Sequence, residues 1–136
     1  MATTALTLEE YGRALGQVVW LERRCFELLG ELARAEPDPA AKLAFASAST
    51  HHGAHAALLE PLLPGTRDHD PESFVRPAKD ADANLTDPGT LLVRLDEALA
   101  ESVAAMTPVA DAAAERLLGL VGADHESDAR GPRNVR

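Results

Sequence analysis

Cysteine occurs only once in this chain, at position 25, so no intrachain disulfide can form and a secreted scaffold held by cross-links is excluded. A reduced, cytoplasmic setting is the expectation. Aromatic residues are also scarce, 4% of a sequence that is 46% hydrophobic, so the apolar surface must come from alanine and aliphatic side chains, which suits closely packed helices. Basic residues are outnumbered, 13 Lys and Arg against 22 Asp and Glu, for a net charge of -9. A nucleic-acid partner would require a clustered basic surface, and that class is set aside. No stretch approaches the roughly 20 apolar residues that span a bilayer, and the start of the chain lacks a basic segment followed by an apolar run. No membrane association and no targeting signal are expected. Gly-rich phosphate loops, Gly-x-Ser-x-Gly elbows and Cys-x-x-Cys pairs are missing too.

What is present is helical periodicity over a length, 136 residues, that suits one domain. Thr7, followed by Glu9 and Glu10, predicts a helix start, and Pro37 and Pro39 stop that helix after about Ala35. Asp38 before Pro39 predicts the cap of a second helix, which ends near Leu63 or earlier because Pro61 falls in its last turn. Residues 64–88 are rich in Pro, Asp and Gly and read as a long crossover loop, tacked onto the bundle by Phe74, Val75 and Leu85. A third stripe then runs through Leu92, Leu95, Leu99, Ser102, Met106, Val109, Ala113, Leu117 and Leu120, with Pro108 bending or splitting it. The expected architecture is all-α. It has three long helices, or four with a short last helix, and a long crossover between the second and third. Residues 1–122 form the single helical-bundle domain, and residues 123–136 are expected to be a disordered tail.

Three polar residues interrupt the first two stripes. The first reads Tyr11, Leu15, Val18, Glu22, Cys25, Leu29, Leu32, and the second Ala41, Phe45, Ala48, His52, His55, Leu59, Leu62, both in steps of three and four. A carboxylate and two imidazoles on core-facing positions are costly unless paired or coordinated. A shift of the first helix by one residue would put Leu21 inward instead of Glu22. In the second helix either register, through His51 and His55 or through His52 and His55, buries two histidines. Histidines three or four residues apart share a helix face and can hold one ion. With Glu22 they make the two-histidine, one-carboxylate set associated with non-haem iron. The candidate metal ligands are therefore Glu22, His52, His55 and His51. The alternatives for the ion are iron, zinc, manganese or none. Cys25 reads as a small core residue, and His69, His125 and Glu126 as solvated.

The segment Leu15-Gly16-Gln17-Val18-Val19-Trp20-Leu21-Glu22 with Phe26, the pair His52-Gly53-Ala54-His55, and Asp87-Pro88 after the crossover resemble the ferritin-like superfamily. The likeness is to actinobacterial proteins akin to tRNA-modifying di-iron hydroxylases, over residues 7 to 122. The resemblance implies an antiparallel ferritin-like bundle, with Glu22 as the first-helix ligand and His55 as the histidine of a second-helix Glu-x-x-His. His52 stands where that family carries a bridging Glu, and no second Glu-x-x-His exists, so only Glu22, His52 and His55 transfer. A histidine-triad bundle is a more distant alternative suggested by His51-x-x-x-His55, with no third histidine assigned to another helix. Two functions follow as expectations. One is a single transition metal held by a Glu/His/His cluster for sensing, storage or oxidative chemistry. The other is a non-catalytic accessory or scaffold protein acting through protein contacts. An incomplete bundle would expose apolar surface, a reason to form a dimer or other homo-oligomer, or to recruit a protein partner that completes it.

Overall fold

The structure, a computed structural model, describes residues 5–107 and 111–134, with side chains up to position 128. Among these residues every regular element is helical: α1 (Leu8–Ala35), α2 (Pro39–Leu59), α3 (Arg76–Asp82), α4 (Pro88–Ala105) and α5 (Ala112–Asn134), with 3-10 turns at Glu60–Leu62 and Pro71–Phe74. The expected all-α class holds.

Local chemistry sets the helix starts. At α1 the Thr7 hydroxyl accepts from the Glu10 amide while the Glu10 carboxylate accepts from the Thr7 amide, both at 3.1 Å, a reciprocal cap that satisfies two otherwise orphan donors. Asp38 accepts from the Ala41 amide at 2.9 Å with Pro39 in the first turn of α2, and Asp87 accepts from the Thr90 amide at 2.9 Å with Pro88 in the first turn of α4. Pro61 lies in the 3-10 turn that ends α2 at Leu59, the earlier of the two expected stops.

Helix α1 is the centre of the molecule. The three-residue link to α2 makes the two helices an antiparallel hairpin, and α1 also packs against α3 and α4. It is therefore covered on several sides: Leu15, Val18, Val19, Leu21 and Glu22 are all fully buried. The alternatives of Leu21 or Glu22 facing inward dissolve, because both do.

Residues 64–88 are more ordered than a bare crossover loop. The 3-10 turn and α3 fold within them, and Phe74 and Val75 are buried against α1. Leu85 is a partly buried neighbour of the core. Gly12 and Gly16 make this close approach feasible: a Cβ on Gly16 would lie 2.0 Å from the Phe74 carbonyl oxygen, and one on Gly12 would lie 2.5 Å from the Phe74 ring. Arg23 fastens the same region, with its Nε 2.9 Å from Glu60 and its two terminal nitrogens 2.7 and 3.1 Å from the carboxylate of Glu72.

The last helix departs most from expectation. It is a 23-residue element running to Asn134, where a short helix ending near Gly122 and a disordered tail at residues 123–136 were expected. Its buried stripe is Ala114, Leu118 and Val121, one position off the anticipated Ala113, Leu117 and Leu120. α4 ends at Ala105, and Met106 has an extended backbone, so the helical phase set by α4 is not carried into α5. Pro108 and Val109 lie outside the described residues.

Candidate metal centre

Stepping from Val121 by four along the inward stripe of α5 arrives at His125. On α1 the stripe through Leu15 and Val18 arrives at Glu22, and on α2 the stripe that ends at Leu59 passes through His52 and His55. These four side chains meet in the interior, each offering a ligand atom within 4.8 Å of the others. Glu22 is 0% exposed, His52 3% and His55 2%, while the His125 side chain is 9% exposed. The imidazole rings surround the carboxylate, with centroids 5.0 to 6.0 Å apart.

The contacts are unequal. His52 Nδ1 lies 2.6 Å from Glu22 Oε2 and, since an ionised carboxylate can only accept, it donates that bond. Around Glu22 Oε1 the pattern changes. His125 Nε2 is 2.8 Å away and His55 Nδ1 3.5 Å away, yet neither forms a directed hydrogen bond, and Oε1, His55 Nδ1 and both ring nitrogens of His125 are buried without a hydrogen-bond partner. His55 Nε2 lies 2.8 Å from Asp124 Oδ2 and donates to it. In the neutral ring this leaves the Nδ1 lone pair facing a carboxylate oxygen, a repulsive contact that is relieved by protonation of the ring or by a cation between the two atoms. His125 has a similar neighbour, with its Nδ1 3.6 Å from Asp96 Oδ1.

The electrostatics agree. Burial alone would push the Glu22 carboxyl up, but its contacts with His125, His52 and His55 outweigh burial and hold it well below the usual carboxylate range. Burial opposes charge on His55, yet Glu22 and Asp124 together raise its basicity. Asp124 is in turn lowered by its bond to His55. The interior thus keeps an anion and selects for a cation beside it.

The residues fit a metal ion. Bonds of about 2.0–2.2 Å place ligand atoms no more than roughly 4.4 Å apart, so the cluster needs to contract by only a few tenths of an ångström. A single ion would engage Glu22 Oε1, His55 Nδ1 and His125 Nε2 together, and each buried polar atom left unsatisfied costs about 1–3 kcal/mol. Asp124, hydrogen-bonded to His55, stands where an outer carboxylate would orient a ligating imidazole, while Asp96 lies 3.6 Å from His125 without a hydrogen bond.

Glu22, His52 and His55 come together as the sequence indicates. His51 is half exposed and points elsewhere, its Nδ1 2.8 Å from Asp128. His125, read as solvated within a tail, is instead the third imidazole and comes from another helix, the element a histidine-triad arrangement calls for. Its signal was the spacing Ala114, Leu118, Val121, His125. Cys25 is 2% exposed in the core, as its small-residue reading implies, and burial, then the nearby Glu22 and Asp96 charges, pushes its thiol up to about 12. No helix among the described residues is long and apolar enough to cross a membrane. No protein-family model matches this chain, and neither does any curated protein or solved structure.

Proposed function

We propose that this protein binds one transition-metal ion through Glu22, His52, His55 and His125, beside a cavity that admits a small-molecule ligand. The observation that carries the reading is the set of buried, unpartnered atoms around Glu22 Oε1. Three imidazoles and one carboxylate suit iron or zinc, and iron with four protein ligands keeps positions open for a reactant, whereas four-coordinate zinc would be closed. We favour iron because a cavity adjoins His52 and His125. The ion would supply Lewis acidity and redox capacity, while the chain's own groups fix the imidazole tautomers and exclude water from the buried side.

The ferritin-like resemblance supports the same reading, since such bundles build metal sites from Glu and His side chains on facing helices. Here the number of ions is one: the cluster contains a single carboxylate, and the sequence holds no Glu-x-x-His motif to supply another.

Elemental mass spectrometry on protein purified without chelator or added metal tests this. About one ion per chain is expected in the wild type and in His51→Ala, with loss in His125→Ala and in Glu22→Gln. A wild-type protein that stays metal-free after incubation with iron(II), zinc(II) and manganese(II) would overturn the proposal.

A further inference from the structure

A cavity of about 280 Å³ lies against the metal cluster, bounded by α1, α2, α4 and α5. Its walls are apolar, from Leu29, Phe45, Ala48 and Leu92. His52, buried, and His125, with a side chain 9% exposed, also line it, and Nδ1 of His125 has no hydrogen-bond partner. Its polar rim is acidic: Asp96, with a side chain 69% exposed, and Asp128, 29% exposed, are the only charged groups lining it among the described residues. Among the described residues no Lys or Arg lines it.

We propose, resting on the metal reading above, that the ligand of this site is a small primary amine: an apolar body of roughly ten heavy atoms with an ammonium head. The volume sits just below the range of about 300–1,000 Å³ typical of drug-sized ligands, so the occupant is small. The aliphatic and phenyl walls take its apolar part, and the two carboxylates at the opening attract a cation and repel an anion. A neutral isostere gains the burial without the charge interaction, and a carboxylate meets like charge at the rim. Asp96 is the stronger determinant, since Asp128 already accepts from His51 at 2.8 Å. These carboxylates are solvated, so the discrimination expected from charge is modest.

The test is calorimetric titration of metal-loaded full-length protein, near neutral pH, with three probes of matched shape: phenethylamine, phenethyl alcohol and hydrocinnamate. Phenethylamine is expected to bind about threefold to tenfold more tightly than the alcohol, and hydrocinnamate more weakly than the alcohol. Asp96→Asn should bring amine and alcohol to parity. Ala48→Leu, which fills the cavity, should abolish amine binding while metal content by elemental analysis stays at the wild-type level. One ion per chain with equal or absent binding of amine and alcohol overturns this inference and leaves the metal reading standing. Amine selectivity lost in Asp96→Asn supports it, and absence of metal in the wild type overturns the metal reading instead.

Discussion

His55 and Asp124, 69 positions apart in the chain, meet through Nε2 and Oδ2 at 2.8 Å. That bond fixes the imidazole tautomer so that Nδ1 faces Glu22, and it comes from an acidic side chain that is itself 64% exposed. Asp124→Asn should therefore weaken metal affinity about 10- to 100-fold with little change in fold, as expected for a carboxylate that orients a ligating histidine. Competition with a chromophoric chelator, beside circular dichroism of both proteins, measures it. Equal affinities would remove Asp124 from the site.

Two glycines should respond oppositely to alanine. Gly16→Ala sets a methyl against the Phe74 backbone and should destabilise by about 1–3 kcal/mol, because a carbonyl cannot swing aside as a side-chain tip can. At Gly119 nothing lies within 4 Å of an added Cβ, so Gly119→Ala should stabilise by about 0.5–1 kcal/mol through helix propensity alone. Urea midpoints at unchanged slope are the measurement.

The Arg23–Glu72 pair makes a pH prediction. Arg23 holds the Glu72 carboxyl below its ordinary value of 4.5. A depressed carboxyl stabilises the fold above that value and loses its contribution as pH falls through the lower folded value. With the Glu72 side chain 51% exposed, screening limits the pair to about 0.5 kcal/mol. Glu72→Gln should thus melt slightly lower than wild type at pH 7, and the gap should close on acidification below 4.5. A gap that widens in acid would contradict this assignment.

Cys25 should be silent in the folded protein. With 2% exposure and a thiol pushed up to about 12, it has neither access nor thiolate. A thiol reagent such as Ellman's should react at the rate of unfolding in dilute buffer and immediately in denaturant. Fast reaction in buffer would place Cys25 in an open environment.

The first two helices were legible because their stripes are long and their ends carry strong caps: Thr7 with Glu10, then Asp38 with Pro39. The same periodicity pointed to Glu22, His52 and His55. The fourth member of the cluster, His125, escaped for two physical reasons. Helical phase was carried from α4 across the break after Ala105 into α5, which rotated the inward face by one residue. In addition, Asp124, Glu126 and Asp128 gave the segment a polar average that hides a single inward face, and one stripe is all a helix needs to dock. His51 and His52 could not be separated by spacing alone, since either pairs with His55; contacts with α1 and α5 decide it. Phe74 was legible as an anchor of the crossover, whereas the notch at Gly12 and Gly16 that receives it depends on contact between distant segments.

Glu22, His52 and His55 all belong to one hairpin of neighbouring helices, and only His125 arrives from afar. The hairpin can assemble its part of the cluster through short-range folding, before the last helix has found its place. An ion seated there would act as a latch on α5, holding the helix against the hairpin by a coordination bond as well as by the stripe of Ala114, Leu118 and Val121. Stripping it should loosen that helix first, visible as faster amide hydrogen exchange across α5 while α1 and α2 stay protected. Occupancy would then be written into the mobility of one helix, a property a partner could read without touching the ion.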